Sequence, residues 1–198
     1  FVAKMTADGS ILWAISGGGE YDDWCSWGLD YSIDDPCWQS HSGGHDHFHG
    51  DRVDLDDYGN IYITGGYCQK SRSEQVYCEA TFGDDTLEED NLQSIGSGYV
   101  SKIGAGGEWL WTARMASTHT YGGFFGLGVA ADSSGDAFVT GVANRNGDGD
   151  AHFYDSDWGS GGSYLEEELD QQTAFLAKIG SDGSWEWVNG EDGDGISF

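Results

Sequence analysis

The stretch FVAKMTADGSILW at residues 1–13 recurs as YVSKIGAGGEWLW at residues 99–111 and as FLAKIGSDGSWEW at residues 175–187. Each copy begins with an aromatic residue, continues through an alternating segment that contains one Lys, turns at Gly, and ends with an apolar segment closed by Trp. Alternating segments on both sides of a Gly turn are typical of a β-hairpin. The sequence therefore predicts one hairpin, used three times.

A second motif lies between these copies, as DLDDYGNIYITGGY from Asp54 and as AADSSGDAFVTGVA from Ala130. Each copy has the pattern of a strand, a turn at Gly59 or Gly135, and a second strand that ends in Thr-Gly. The second motif is therefore also a hairpin, and the predicted repeat unit is four antiparallel strands.

Repeated four-stranded units predict an all-β chain with the β-propeller fold, in which each unit is one blade. An antiparallel solenoid is the alternative, but radial packing buries both faces of every sheet. The ring is incomplete, so further blades come from missing sequence or from other copies of the chain. The predicted segments are a last hairpin at 1–18, a disulfide-bearing insertion at 19–45, blades at 46–116 and 117–190, and the start of another blade at 191–198.

These motifs resemble the bacterial and archaeal surface β-propeller repeats of the SBBP type. The resemblance rests on DDYGNIYITG, SSGDAFVTG, FVAKMTADGSILW and FLAKIGSDGSWEW, which together cover about half of the chain. It implies a propeller fold and carries no information about an activity. The long acidic and Cys-bearing insertions lie outside the family pattern, and we expect the features particular to this protein to lie in them.

The charge of the chain narrows the classes of partner. Its 35 Asp and Glu residues against 8 Lys and Arg give a net charge of −27 at pH 7. This charge repels phosphate backbones and anionic lipid, so the sequence predicts neither nucleic-acid binding nor membrane insertion. It is typical of a secreted protein that carboxylates keep soluble, or of one that collects divalent cations.

The four Cys residues form two close pairs, Cys25 with Cys37 and Cys68 with Cys78. Zinc is the alternative ligand, but Cys pairs that bind zinc lie closer together in sequence than these do. Two local disulfides are therefore expected, and they place the protein in an oxidising, extracellular compartment.

The segment NRNGDGDAHFYD, residues 144–155, has the spacing of a calcium-binding loop. Oxygen-bearing side chains at alternate positions can point at one ion, and Gly149 permits a sharp turn. The alternative is a solvated turn between strands. The predicted calcium ligands are Asn144, Asn146, Asp148, Asp150 and Asp155.

A second candidate metal site is a short stretch with three His residues at alternate positions, His45, His47 and His49. In an extended strand their imidazoles share one face, where they can hold Zn²⁺ or Cu²⁺. The alternative is a polar edge that leads into an inner strand.

We expect a non-enzymatic extracellular module with a structural or adhesive role, part of a larger cell-surface or filament-forming protein. Its expected partners are other copies of itself or the rest of a longer propeller. Trp24, Trp27 and Trp38 in the Cys-bearing insertion also suit a carbohydrate or cell-surface protein, although packing of the insertion on itself is the alternative. The rival function is a secreted hydrolase or lyase that acts on polysaccharide in the propeller pit.

Overall fold

The computed structural model describes residues 1–17, 47–69, 79–88, 96–117, 122–143, 149–157, 164–169 and 173–191. All of its regular elements are β-strands. They are β1 (Val2–Met5), β2 (Ile11–Ile15), β3 (His47–Leu55), β4 (Ile61–Gln69), β5 (Glu79–Phe82), β6 (Asp85–Glu88), β7 (Ser97–Ile103), β8 (Trp109–Ser117), β9 (Phe124–Ala131), β10 (Ala137–Ala143), β11 (Gly149–Tyr154), β12 (Tyr164–Leu169), β13 (Thr173–Ile179) and β14 (Trp185–Glu191).

The three predicted hairpins and the two interleaved ones are all present. Strands β1 and β2 form the first hairpin, which stands as a two-stranded sheet in the described part of the chain. Strands β3, β4, β7 and β8 pair in that order and antiparallel, and we call them unit 1. Strands β9, β10, β13 and β14 pair in the same order and form unit 2. The predicted four-stranded antiparallel unit is therefore confirmed twice.

All five of these hairpins turn in the same way. In the first, the amide of Thr6 donates to the carbonyl of Ser10, and the amide of Gly9 donates back to the carbonyl of Thr6. The Gly that closes each turn has a positive φ, 88° at Gly9 and 81° at Gly135. L-residues with a Cβ adopt this conformation at a cost, which explains why the turns are marked by Gly in the sequence.

Two further hairpins were not predicted. Strands β5 and β6 lie between β4 and β7, and strands β11 and β12 lie between β10 and β13. Strand β11 pairs antiparallel with β8, so this hairpin of unit 2 extends the sheet of unit 1 to six strands. The strands of the second motif also run on past Thr-Gly, to Gln69 in β4 and to Ala143 in β10.

The apolar core lies between successive units. One cluster joins Tyr62, Val100 and Trp111 of unit 1 to Phe175 and other residues of unit 2. A second cluster packs the opposite side of unit 1 against the first hairpin and the β5–β6 hairpin. No helix in the described ranges is long and apolar enough to cross a membrane.

Candidate functional site

The recurring Lys and Trp lie at the contact between successive units. Nζ of Lys102 donates to the carbonyl oxygens of Gly135 at 3.2 Å and Ser181 at 3.3 Å. The indole nitrogen of Trp111 donates to the same Ser181 carbonyl at 3.0 Å. Two side chains of unit 1 therefore hold two turns of unit 2, and we call Lys102 and Trp111 a Lys–Trp pair.

The first hairpin makes the same contact with unit 1. Nζ of Lys4 and the indole nitrogen of Trp13 both donate to the carbonyl oxygen of Ala105, at 3.3 Å and 3.2 Å. Ala105 holds the position in the β7–β8 turn that Ser181 holds in the β13–β14 turn. The unit-to-unit contact is thus a repeated feature, like the strands that carry it.

The charge of Lys102 is compensated inside this contact. Burial lowers the pKa of the Lys102 ammonium group, and the carboxylates of Asp56, Asp136 and Asp182 oppose that shift. The ammonium group also lies 5.0 Å from the ring centre of Tyr62, close enough for a cation–π interaction. Lys102 is therefore a buried ammonium group whose hydrogen bonds and charge are compensated in part by groups of the following unit.

The hydroxyl of Tyr62 completes the contact by donating to the Gly135 carbonyl. Burial raises the pKa of Tyr62, and the nearby carboxylate of Asp56 raises it further, so this hydroxyl keeps its proton. Asp56 itself accepts hydrogen bonds from the backbone amides of Tyr58 and Asn60, both at 2.9 Å. Burial opposes ionisation of Asp56, but a hydrogen bond from the Asn60 side chain at 2.8 Å, the two amides and Lys102 outweigh it and hold the pKa of Asp56 below the usual value.

The third Lys–Trp pair is Lys178 and Trp187 of unit 2, and it has different partners. Nζ of Lys178 lies 2.8 Å from Oδ2 of Asp136 and 2.8 Å from Oε2 of Glu186. Hydrogen bonds to these two carboxylates raise the pKa of Lys178, and the bond from Lys178 lowers the pKa of Asp136. The ring of Trp187 lies 6.1 Å from that of Phe138.

A cluster of possible metal ligands lies on the β11–β12 hairpin. One ligand atom from each of Asp150, His152 and Glu166 lies within 4.8 Å of the others. Asp150 and His152 share one face of β11, and Glu166 lies opposite His152 on β12. An imidazole with two carboxylates is a ligand set that suits Zn²⁺.

His152 is positioned within that cluster by a neighbouring side chain. Its Nδ1 lies 2.9 Å from the hydroxyl of Tyr154, and its Nε2 lies 3.2 Å from Oε2 of Glu166. The distance between Nε2 and Glu166 is that of an ion pair, but the two groups are not aligned for a hydrogen bond. Nε2 of His152 is therefore buried without a hydrogen-bond partner among the described residues. The cluster is therefore the arrangement of described residues best suited to a metal ion.

The structure describes two of the five predicted calcium ligands, Asp150 and Asp155. Asn144, Asn146 and Asp148 lie outside the described residues, and the second half of the segment is strand β11. Asp150 lies on this strand, and the buried Asp155 follows it and accepts a hydrogen bond from the backbone amide of Trp185 at 2.7 Å. Calcium binding through these five residues stays a prediction.

The predicted His site is only partly described. His45 lies outside the described residues, and His47 and His49 lie on β3, with a register shift in the β3–β4 pairing between them. Nε2 of His49 lies 3.2 Å from Oδ2 of Asp51. Transition-metal binding by the three His residues stays a prediction.

The Cys-bearing insertion at 19–45 lies outside the described residues, and the second Cys pair is described only in part. Cys25, Cys37 and Cys78 are not described, and Cys68 lies on β4 without a described side chain. Both disulfides therefore stay predictions. The aromatic residues Trp24, Trp27 and Trp38 belong to the same insertion and are likewise outside the described ranges.

A cavity of about 710 Å³ lies beside the edge of β1 that pairs with no described strand. In unit 1, the strand that corresponds to β1 is β7, and it pairs with β4 on this side. Val53 and Leu55 of β3 line the cavity and are exposed. The cavity therefore lies where the first hairpin has no inner strands beside it within the described residues.

Sequence reasoning found the Lys and Trp positions and missed what they bind. The equal spacing of Lys and Trp in the three copies was the available signal. Their acceptors are backbone carbonyls, which every residue carries, so no side-chain pattern marks them. The His152 cluster was missed because the segment around it was assigned to a calcium loop.

The comparisons with known proteins add no family to these observations. No family model matches the sequence, and no curated protein matches it. The resemblance to the SBBP-type surface propeller repeats therefore rests on the repeat motifs alone and stays a prediction.

Proposed function

We propose that this chain is a non-enzymatic, extracellular β-propeller module with a structural or adhesive role. In this proposal it is part of a larger cell-surface or filament-forming protein, and calcium stabilises its acidic loops. The observation that carries the proposal is the repeated Lys–Trp contact. Lys4 with Trp13 and Lys102 with Trp111 hold the next unit in the same way, which favours a regular stack of blades.

The chemistry of this contact supports a scaffold. The Lys and Trp donors meet backbone carbonyls, and apolar side chains of both units fill the space around them. Such a contact fixes the relative position of two sheets, because the Lys102 and Trp111 donors are used by backbone carbonyls of the next unit. Rigid units of this kind hold their loops in place, and the display of several weakly binding loops gives avidity.

The extracellular and calcium parts of the proposal rest on the sequence. The two close Cys pairs support an oxidising compartment, and the net charge of −27 supports cation binding by the loops.

Calorimetry of the intact chain, with calcium and with a chelator, tests the proposal. We expect one unfolding transition, because the units share a core, and a higher Tm with calcium, because a ligand that binds the folded state stabilises it. Equal Tm values in both buffers would remove calcium from the proposal. Separate transitions for the two units would remove the rigid scaffold.

A parallel assay addresses the rival function. The chain is incubated with a panel of acidic and neutral polysaccharides, and the release of reducing ends or unsaturated products is measured. We expect no release above a heat-denatured control. Turnover that saturates with substrate and disappears on denaturation would replace the scaffold with a hydrolase or lyase.

A further inference from the structure

Two surfaces of the chain, one on unit 2 and one on the first hairpin, each correspond to one side of the unit-to-unit contact. We call the side of a unit that carries the Lys–Trp pair its back face, and the opposite side its front face. Three sets of positions correspond along the repeat. The Lys residues are Lys4, Lys102 and Lys178, the Trp residues are Trp13, Trp111 and Trp187, and the acceptor positions are Ala7, Ala105 and Ser181.

The back face of unit 2 carries an indole donor for which the described part of the chain provides no acceptor. The indole nitrogens of Trp13 and Trp111 each donate to a carbonyl of the next unit. For Trp187, the described residues provide no such acceptor, and its ring centre lies 6.1 Å from that of Phe138. Leu176, on the same face, is 41% exposed, whereas the corresponding Val100 of unit 1 is fully buried.

The ammonium group of Lys178 has one N–H donor on this face that is not used by its two carboxylate partners. An ammonium group has three N–H donors. Asp136 and Glu186 each lie 2.8 Å from Nζ and account for two of them. These carboxylates hold the ammonium group in place and leave its third donor for another oxygen, which corresponds to the carbonyl that Lys102 finds on Ser181.

The front face of the first hairpin offers the complementary surface. Met5 and Ile11 are 56% and 65% exposed, whereas the corresponding Ile179 and Trp185 of unit 2 are 0% and 6% exposed. The residues of unit 2 are covered by the back face of unit 1, as members of the shared core. Met5 and Ile11 of the first hairpin are therefore apolar residues exposed to solvent.

The acceptor turn of the first hairpin is already formed. The amide of Thr6 donates to the carbonyl of Ser10 and the amide of Gly9 donates to the carbonyl of Thr6. In the turn that carries Ala105, the amide of Gly104 donates to the carbonyl of Glu108 and the amide of Gly107 to the carbonyl of Gly104 in the same way. Ala7 is exposed, and its carbonyl oxygen accepts no hydrogen bond from a described residue. Its position corresponds to the carbonyls that the Lys–Trp pairs bind at Ala105 and Ser181.

We propose that the back face of unit 2 binds the front face of the first hairpin of a second copy of this chain, head to tail. Lys178 and Trp187 donate to the carbonyl oxygen of Ala7 of the second copy, and Phe138 and Leu176 cover Met5 and Ile11. The inference rests on the proposed function, because it continues the stack of units from one copy into the next. A second copy is the occupant because one chain carries both halves of a contact that it already makes twice internally.

Such a contact is heterologous, so a copy bound through one face keeps the other face free. Contacts of this kind build rings or filaments. The net charge of −27 opposes the approach of two copies. Association should therefore strengthen with salt, and at about 1 M salt the Debye length falls to about 3 Å and removes most of this repulsion.

Sedimentation velocity over a range of concentrations at about 1 M salt tests the proposal. We expect the mass of the particle to rise with concentration from the 21.4 kDa monomer. Trp187→Ala and Ile11→Asp each remove one half of the contact, and each should stay monomeric. Tyr58→Ala is the matched control, because it removes an exposed aromatic side chain from a turn of unit 1 and should associate like the unaltered chain.

Mixing the two variants makes the test specific. Trp187→Ala keeps an intact front face and Ile11→Asp keeps an intact back face, so an equimolar mixture should form 1:1 dimers that grow no further. An unaltered chain that stays monomeric at every concentration overturns the proposal. So does a Trp187→Ala variant that associates like the unaltered chain, or a mixture that stays monomeric.

Unfolding of each variant, followed at a concentration below association, separates folding from docking. A Trp187→Ala or Ile11→Asp variant that unfolds like the unaltered chain and fails to associate supports the proposal. If a variant is unfolded, Leu176→Asp on the back face or Met5→Asp on the front face takes its place. If the unaltered chain stays monomeric and unfolds in one cooperative transition, head-to-tail docking is overturned and the scaffold function remains. If the two units unfold in separate transitions, the scaffold function itself is overturned.

Discussion

The indole nitrogen of Trp111 donates a hydrogen bond of 3.0 Å to the carbonyl oxygen of Ser181, 70 residues further along the chain. Trp13 donates to Ala105 at 3.2 Å in the corresponding place. Two copies of one hairpin thus make the same long-range bond. The donor is a Trp side chain that recurs in the sequence repeat, whereas the acceptor is a backbone carbonyl that no sequence pattern identifies.

Trp111→Phe should lower the free energy of unfolding by about 1 kcal/mol for the lost N–H that binds Ser181, and by more because the smaller ring leaves a void at the buried position of Trp111. Urea unfolding measures the change. Trp187→Phe is the matched control, since the indole nitrogen of Trp187 has no acceptor among the described residues, and its effect should stay within about 0.5 kcal/mol. Equal losses in the two variants would show that the Ser181 bond contributes nothing to stability.

Gly107→Ala should cost more stability than Gly9→Ala, although the two residues share a positive φ, 96° and 88°. Both variants place a Cβ in a left-handed conformation, at about 1–2 kcal/mol. A Cβ at Gly107 would also lie 2.7 Å from Cδ2 of Trp13, whereas one at Gly9 would meet no atom within 4 Å. The clash should add about 1–3 kcal/mol. Thermal unfolding of the pair tests this, and equal Tm values would mean that Trp13 does not pack on this turn.

Asp56→Ala should lower the free energy of unfolding by about 2 kcal/mol at neutral pH, because the charged side chain accepts hydrogen bonds from Tyr58 and Asn60. The folded-state pKa of Asp56 lies below its usual value of 3.8. The stabilisation is therefore fully present above pH 3.8 and is lost as the pH falls through the lower folded-state value.

Urea unfolding of the unaltered chain and the Asp56→Ala variant between pH 7 and about pH 2 measures this loss. The difference between the two proteins should shrink in acid. The neighbouring Asp57 is exposed, and Asp57→Ala should show a small difference at every pH. A difference for Asp56→Ala that does not change with pH would mean that the charge of this carboxylate contributes nothing.

Phe153→Ala should destabilise the chain by about 3–5 kcal/mol, as expected for the truncation of a buried Phe. Phe153 lies on the unpredicted β11 strand, is fully buried, and its ring centre lies 5.2 Å from that of Trp185 and 5.3 Å from that of Phe175. Tyr164→Ala on the same hairpin is the control, because Tyr164 is 41% exposed and its loss should cost less. Comparable losses would argue against a core role for the hairpin.

The sequence predicted the hairpins because a hairpin is a local structure. The Gly residues at positions 9, 59, 107, 135 and 183 mark turns that need a positive φ, and alternating apolar residues on both sides specify the strands. The Lys–Trp spacing identified corresponding positions in the three copies. The extra hairpins escaped prediction because they carry no repeat of the motif, and β11 was concealed by the Asn, Gly and Asp residues that precede it.

By itself, then, the sequence determined the five hairpins of the two repeated motifs, their turns and the four-stranded unit, since each depends on residues close together in the chain or on a repeated pattern. Only the tertiary structure decided that β11 pairs with β8, that Lys102 and Trp111 hold the Ser181 carbonyl, and that Asp150, His152 and Glu166 converge. The first two contacts join segments far apart in the sequence, so they depend on how one unit packs against the next, whereas the third depends on the register of the β11–β12 hairpin, which no repeated motif marks. Packing of that kind follows from the sum of many weak contacts across the whole core, which no short motif encodes.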